Sequence, residues 1–203
     1  MADITAKDVQ NLRERTGVGI MDAKRALIEA NGDAEQAIEL LKKQGAMKAA
    51  KKAGREAAEG KVFSYIHGNS QVGVLLQLNS ETDFVARSDK FSELGMDLCL
   101  HVAAMNPTYI SRDQIPASLL EGEQAAAREQ VQGKPVEIIE KIVAGKIDKF
   151  ASEIVLLEQL FVKDDTKTIQ DLLHEATQVL GEHIKITSFA RFEVSGSPTV
   201  CGL

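Results

Sequence analysis

The spacing of apolar residues changes twice along this chain of 203 residues, which limits the folds open to it. Up to about residue 60, apolar side chains recur every three or four positions, as they do on helices. Residues 62–78 instead alternate between two faces around a turn at 68–71, which predicts a β-hairpin. Helical spacing then returns until a last alternating run, Ile184–Val194, which predicts a strand. This order predicts an α+β fold, in which a small antiparallel sheet of hairpin plus C-terminal strand is packed by helices.

Three short helices are predicted within the first 44 residues. Thr5, with Asp8 three positions later, forms a capping-box pattern at the start of the first helix. The second runs from about Met21 to Ala30 and ends at Asn31-Gly32, a helix C-terminal signal. The third spans about 33–45, where a glycine marks its predicted end. A domain this small, with no His, Cys or Ser arrangement suited to chemistry, is typical of a recognition module.

The middle of the chain is predicted to be helical between its glycines and prolines. The predicted spans are a helix from near Ser88 to Met105, Ala117–Val131 before Gly133, Pro135–Val143, Ile147–Leu160 after an interruption at Gly145, and Thr168 to Gly181. In the closing strand, the residues predicted to share one face are Ile184, Ile186, Ala190, Phe192 and Val194.

Charge divides the chain near residue 60. Residues 1–60 hold 11 Lys/Arg and 10 Asp/Glu, whereas the remaining 143 residues hold 13 and 20. A basic cluster within 42–61 consists of Lys42, Lys43, Lys48, Lys51, Lys52, Arg55 and Lys61. It is either a contact surface for an acidic partner or a solvated connector, and no aromatic residue is interleaved to stack on bases. The predicted domains are a three-helix module, 1–45; a basic linker, 46–60; an α+β core and dimerisation domain, 61–196; and a flexible tail, 197–203.

Several classes of protein are excluded by the sequence. The apolar stretches are far shorter than the ~20 residues that a bilayer helix requires, and no basic start leads into an apolar leader. Cys99 and Cys201 are too few for a disulfide framework or a four-thiolate zinc site, which favours a reducing cytoplasm. The net charge of −6 argues against a surface devoted to nucleic acid.

No constellation of catalytic residues is found. The histidines lie at 67, 101, 174 and 183, with no pair at metal-ligand spacing. Gly17-Val18-Gly19 is too short for a dinucleotide-binding loop and follows a helix rather than a strand. No nucleophile elbow is present either. We therefore expect a binding protein with no metal and no cofactor, rather than an enzyme.

One strand-to-helix loop stands out for its composition. Leu78–Arg87 follows a strand predicted to be buried and contains Phe84 beside an acid, in a chain with only 7 phenylalanines. Phe84 could enter another protein, because loops on rigid scaffolds often carry function. Alternatively it could pack the loop onto its own core, because phenylalanine is usually buried.

Three segments resemble the hallmarks of the elongation factor Ts family, which exchanges guanine nucleotide on elongation factor Tu. They are Leu12–Leu27, the linker Ala49–Arg55 and the run Asn79–Ala86, in family order and at family spacing. The closing helix and the strand beginning His183-Ile184-Lys185-Ile186 also fit.

The resemblance implies a function for two of these segments. The three-helix module is ubiquitin-associated-like and docks on the nucleotide-binding domain of elongation factor Tu. The residues that match the contacting region are Leu12, Arg13, Thr16, Gly17, Val18, Met21, Lys24 and, in the linker, Lys51. The family's Thr-Asp-Phe-Val motif, here Thr82, Asp83, Phe84 and Val85, dislodges Mg²⁺ from the partner. By that analogy Phe84 wedges between partner helices while Asp83 hydrogen-bonds nearby.

The chain is short for this family. Long members carry two related core subdomains and a helical hairpin insertion, whereas only one β-hairpin and one Thr-Asp-Phe-Val loop are found here. In short members a homodimer supplies the missing half, so the resemblance implies a two-plus-two complex with elongation factor Tu. Cys201 either cross-links such a dimer or is a free thiol in the tail.

Two other functions remain open on the sequence. One is an adaptor that binds a protein tail through the helical module and RNA through the basic linker. The other is a hydrolase that uses Asp83 with a histidine, for which the sequence shows no geometry.

Overall fold

The computed structural model describes residues 4–131 and 135–202, which form two compact units. The first contains the described residues up to Lys61, together with Leu78–Leu94 and Asp171–Lys185. The second contains Val62–Gln77, Gly95–Gln170 and the described residues from Ile186 on. The first unit thus combines the N-terminal helices with two later segments of the chain.

Three helices open the first unit, as predicted. They are α1 (Ala6–Thr16), α2 (Ile20–Glu29) and α3 (Ala34–Lys52). Thr5 and Asp8 form the predicted capping box, in which the Thr5 backbone N–H donates to Asp8 Oδ2 at 2.9 Å. The side chains that fill the space between these helices include Leu12, Leu27 and Leu41, each at most 3% exposed.

The end predicted for the third helix is wrong. Gly45 does not terminate α3, which continues to Lys52 through the first part of the predicted linker. Gly45 is buried, and a Cβ there would lie 2.7 Å from Oε1 of Gln178. The glycine therefore permits close packing of α3 rather than ending the helix.

The sheet contains β1 (Glu59–Ile66), β2 (Val72–Ser80), β5 (Lys185–Glu193) and β6 (Thr199–Cys201), in that spatial order. β1 and β2 form the predicted hairpin, closed by a hydrogen bond of 2.9 Å from the His67 N–H to the Val72 carbonyl. β5 and β6 pair antiparallel, with Ala190 opposite Val200. The predicted α+β class is confirmed.

The residues predicted to share one face of the last long strand are not equally buried. Ile184 and Ile186 are buried, whereas Phe192 is 53% exposed and Val194 is 78% exposed. Phe189, at an odd position, is buried instead. Burial therefore passes from even to odd positions between 186 and 189, which a strict two-residue period does not anticipate.

The remaining helices are α4 (Asp83–Ala86), α5 (Asp89–Met105), α6 (Ala117–Glu129), α7 (Val136–Ile154) and α8 (Ile169–Leu180). α6 and α7 pack against each other around Ala127, Val131 and Val143. Gly145 does not interrupt α7, although an interruption was predicted there. The predicted stop at Gly133 lies outside the described residues.

Two short strands that the sequence did not predict lie between the predicted helices Ile147–Leu160 and Thr168 to Gly181 and overlap them only at Leu160 and Thr168. After α7, β3 (Leu160–Phe161) pairs antiparallel with β4 (Asp164–Thr168). α7 ends at Ile154, and the buried amide of Gln159 donates to the carbonyl of Glu153, in the last turn of α7, at 2.7 Å.

β6 occupies part of the segment expected to be a flexible tail. Cys201 on this strand is 8% exposed and unpaired, and its Sγ lies 3.2 Å from Gln114 Oε1. Across the two described ranges, no helix is long and apolar enough to cross a bilayer.

Candidate interaction surface

The loop after β2 presents an aromatic ring to solvent. Leu78, Asn79 and Ser80 at the end of β2 are buried, and Glu81 and Thr82 connect this strand to the one-turn helix α4. Within α4, Val85 is 7% exposed, whereas Phe84 is 82% exposed. Phe84 therefore does not pack the loop onto its own core, and of the two roles considered for it, only an outward-facing one fits the structure.

Thr82 begins α4 and is held by a residue 100 positions away. Its backbone N–H donates to Glu182 Oε2 at 3.0 Å and its hydroxyl donates to Glu182 Oε1 at 2.6 Å. The same hydroxyl accepts a hydrogen bond of 3.4 Å from the Val85 N–H, so Thr82 is the N-cap of α4. A single threonine thus connects α4 to the segment that follows α8.

Glu81 forms a second connection, in which this residue of the loop is the hydrogen-bond acceptor. Its carboxylate accepts from the His183 backbone N–H at 2.7 Å and from Arg55 Nη1 at 3.2 Å. The hydrogen bond from His183, helped by the Arg55 guanidinium, holds the pKa of Glu81 below its ordinary value. The loop is therefore tied on both sides of the peptide that joins Glu81 to Thr82.

Asp83 remains accessible beside Phe84. Its carboxylate forms an ion pair of 2.7 Å with Arg87, one turn further on, and both side chains are more than half exposed. An exposed pair of this kind contributes only ~0.3–0.5 kcal/mol, so a partner could take over either group at little cost.

In the N-terminal helices, the predicted contact residues divide by burial. Arg13, Gly17 and Lys24 are exposed, and Met21 is 67% exposed. Leu12 and Val18 are at most 4% exposed. Both belong to the core between the N-terminal helices, so their side chains offer almost no area for direct contact with a partner.

Thr16 and Lys51 complete the predicted set. Thr16 is half-buried, and its hydroxyl donates to the Leu12 carbonyl at 2.7 Å. Lys51 is exposed near the end of α3.

The end of α8 lies close to both parts of the predicted surface. A Cβ on Gly17, whose φ of +69° closes α1, would lie 3.6 Å from Cγ2 of Val179. Three residues beyond Val179, Glu182 holds Thr82. The turn after α1 thus lies beside the last turn of α8, and the loop before α4 is hydrogen-bonded to the segment that follows it.

The basic cluster is partly engaged within the protein. Lys48 pairs with Asp22 at 3.1 Å, Lys52 donates to the Gly181 carbonyl, and Lys61 donates to Ser92 Oγ at 3.2 Å. With the Arg55–Glu81 pair, four of its seven cations make internal contacts. Four of the seven cations thus have partners within the protein, although the side chains of Lys48 and Arg55 remain 42% and 55% exposed.

The sequence did not single out Glu182 or Arg55 as site residues. The available signal was weak: Glu182 directly follows the helix-ending Gly181, and Arg55 ends the linker hallmark. Within the described ranges, no group of three His, Cys, Asp or Glu side chains is placed to hold a metal ion.

Comparison with known proteins identifies the family. The family model described as Elongation factor TS matches residues 34–196. Elongation factor Ts of Fervidobacterium nodosum is 50% identical over 194 residues, covering 95% of this chain and 98% of the relative. That of Acetivibrio thermocellus is 52% identical over 192 residues, covering 94% and 89%. That of Thermotoga maritima is 48% identical over 192 residues, covering 95% and 96%. With the Thr-Asp-Phe-Val loop in place and relatives that match almost its whole length, the chain belongs to the elongation factor Ts family of translation elongation factors.

Proposed function

We propose that this protein is the guanine-nucleotide exchange factor for elongation factor Tu. It binds the GDP-bound partner, disturbs the partner's Mg²⁺ site, promotes release of GDP and is displaced when GTP binds. The observation that carries the proposal is Phe84, which is 82% exposed on a loop tied down by Glu182 and Arg55.

An exposed aromatic ring on a backbone that is held in place is suited to insertion into another protein. Burying a phenylalanine side chain contributes ~1.5–3 kcal/mol, and a loop backbone that is already held in place loses little further freedom on binding. The neighbouring carboxylate of Asp83 supplies a hydrogen-bond acceptor at the same point. The loop therefore offers an apolar side chain for burial in the partner and a hydrogen-bond acceptor that can orient it.

The N-terminal helices provide the docking surface in this proposal. Ile20 and Met21 are 59% and 67% exposed at the start of α2, and Arg13 and Lys24 lie exposed nearby in sequence. Exposed apolar side chains together with exposed cations fit an acidic, partly apolar partner surface. We propose that residues 1–45 dock while residues 61–196 perform the exchange and form the dimer.

Exchange needs no bond chemistry in this protein, so we propose no catalytic residue. The partner's Mg²⁺ bridges nucleotide phosphate oxygens and requires a near-octahedral site, so a small displacement of its ligands weakens the grip on GDP. By thermodynamic linkage, a factor that lowers the partner's affinity for nucleotide itself binds less tightly when nucleotide is bound, so incoming GTP displaces it. Each ~1.4 kcal/mol removed from the release barrier accelerates GDP dissociation about tenfold. The free, unpaired thiols of Cys99 and Cys201 support a cytoplasmic setting.

The test is release of a fluorescent GDP analogue from purified elongation factor Tu. The wild-type protein should accelerate release, and Phe84→Ala should lose most of the acceleration while its circular dichroism stays unchanged. Val136→Ala is the matched control, since Val136 is 74% exposed on α7, away from the loop in sequence. Undiminished acceleration of GDP release by a folded Phe84→Ala variant would contradict the proposed insertion of Phe84 into the partner.

We also propose a homodimer, formed through one face of the sheet. The hydrogen bond between Ser188 Oγ and Gln77 Oε1, 3.1 Å, shows that β2 and β5 present these residues on the same face. By strand alternation this face comprises Val62, Ser64, Ile66, Gly73, Leu75, Gln77, Ser188, Ala190, Phe192 and Val200. It contains no charged residue, and five of its apolar side chains are 49–69% exposed. A two-fold axis would bring this face against its own copy without placing like charges together. Two such chains and two elongation factor Tu molecules would form the complex.

The adaptor alternative has less support. It requires the basic cluster to bind RNA, yet Lys48, Lys52, Arg55 and Lys61 are used internally. RNA binding that weakens with salt, without any effect on nucleotide release, would favour it.

A further inference from the structure

Each of the three residues after α8 contacts either the end of α3 or the loop that leads into α4. Gly181 ends α8 with a φ of +79°, and its carbonyl accepts from Lys52. Glu182 accepts from Thr82, and the His183 N–H donates to Glu81. This segment, Gly181–His183, thus holds the loop in place.

Among these contacts, the one made by Glu182 acts closest to Phe84. Its two carboxylate oxygens take the N–H and the hydroxyl of Thr82 separately, at 3.0 and 2.6 Å. Hydrogen bonds to an ionised carboxylate are roughly twice as strong as neutral ones. Because the Thr82 hydroxyl donates to Glu182, its lone pair is free to accept from the Val85 N–H, which closes α4. The carboxylate therefore fixes both the backbone and the rotamer of the N-cap.

α4 depends on this anchor because it has only four residues. A single helical turn has no stability of its own, since the first turn costs more conformational entropy than its hydrogen bonds return. The direction of the Phe84 ring then follows from the orientation of the residue that starts the turn. Val85 and Ala86 bury the opposite face, but they do not determine where the turn begins.

We propose that Glu182 is a positioning residue for nucleotide exchange: it acts through Thr82 to hold Phe84 in the direction required to enter the partner. This inference rests on the exchange function proposed above. It assigns to the C-terminal part of the chain a role in the exchange step that is separate from docking.

The experiment compares Glu182→Gln with wild type in the fluorescent GDP-release assay, over a range of protein concentrations. A glutamine of the same size has one acceptor oxygen and no charge, so it cannot hold both Thr82 donors. We expect the maximal release rate to fall roughly tenfold, equivalent to ~1.4 kcal/mol, while the half-saturating concentration changes less than threefold. The matched control is Glu121→Gln, which removes an exposed carboxylate from α6 and should change neither quantity.

A double mutant separates positioning from general destabilisation. If Glu182 acts only through Phe84, Glu182→Gln should have no further effect on the release rate in a Phe84→Ala background. Hydrogen exchange at the Val85 amide should also accelerate in Glu182→Gln. Thr82→Val, which removes the hydroxyl and keeps the volume, should reproduce the loss of maximal rate if Glu182→Gln folds poorly.

The outcomes distinguish the two proposals. If Phe84→Ala slows release and a folded Glu182→Gln does not, the positioning role is overturned and the exchange function stands. The positioning role is also overturned if Glu182→Gln slows release equally with and without Phe84. If neither wild type nor any variant accelerates release, the proposed function itself fails.

Discussion

Gly95 in α5 lies directly against the ring of Phe63: a Cβ at position 95 would be 2.3 Å from Cε2 and 2.4 Å from Cζ. Phe63 is 8% exposed on β1, so its ring has little room to move. The glycine is therefore required by the contact between this helix and this strand.

We expect Gly95→Ala to destabilise the protein although alanine favours helices. Overpacking a buried site costs ~1–3 kcal/mol, whereas the gain in helix propensity is ~1 kcal/mol. The free energy of unfolding in urea should fall by roughly 1–2 kcal/mol. A variant as stable as wild type would show that the ring can shift aside.

Gly145→Ala should have the opposite effect. Gly145 lies inside α7, and a Cβ there would meet no atom within 4 Å. Alanine then only restricts the unfolded chain and favours the helix, so stability should rise by ~0.5–1 kcal/mol. The same urea titration measures it, and a loss of stability would indicate that α7 bends at this position.

The glycines Gly45 and Gly145 also show what the sequence can and cannot predict. The spacing of apolar residues predicted the hairpin, the helix α5 and the closing strand, because burial of one face follows directly from that spacing. The glycines themselves led to wrong predictions of helix breaks at positions 45 and 145, because a glycine inside a helix and a glycine that ends one look alike in sequence. The difference lies in neighbours distant along the chain, such as Gln178 against Gly45.

The site was predictable to a similar extent. The motif around Phe84 was identified from local residues, and the structure adds the ring's exposure. Glu182 was not identified, because its contact with Thr82 depends on how α8 ends rather than on any local pattern. Leu12 and Val18 belong to the matching motif although they are buried, and the motif alone does not distinguish buried from exposed members.

His101 forms a buried hydrogen-bond network that requires its neutral form. Nδ1 accepts from the Val162 N–H at 3.2 Å, so the proton resides on Nε2, which donates to Gln159 Oε1 at 3.0 Å. The side chain is 0% exposed, and burial lowers its pKa below the ordinary 6.5 despite the bond to Gln159. A second proton would have to bind at Nδ1, which would break the hydrogen bond that this atom accepts from the Val162 N–H.

We expect this histidine to make stability depend on pH. Below pH 6.5 the unfolded chain takes up a proton that the folded His101 resists, so unfolding becomes easier. The contribution is fully present above 6.5 and is lost as the pH falls from 6.5 toward the lowered pKa of the folded state. Urea titrations across this range should show the free energy of unfolding falling with pH.

The variant His101→Gln isolates this contribution. Its free energy of unfolding should fall less steeply below pH 6.5 than that of wild type. His174, whose pKa burial also lowers, is present in both proteins and so cancels in the comparison. Identical slopes would mean that His101 is protonated in the folded state as readily as in the unfolded one.

The proposed dimer can be tested at the centre of the sheet face. Leu75 is 49% exposed there, and Leu75→Glu would place a carboxylate among side chains that carry no charge. In a two-fold dimer the two new carboxylates would also face the same buried region, and an uncompensated buried charge costs several kcal/mol. We expect sedimentation velocity at micromolar concentration to show a dimer for wild type and a monomer for this variant. Leu119→Glu, which adds the same charge to an exposed position on α6, should remain a dimer. A wild-type monomer would refute the dimer, and a dimer unaffected by Leu75→Glu would move the interface to another surface.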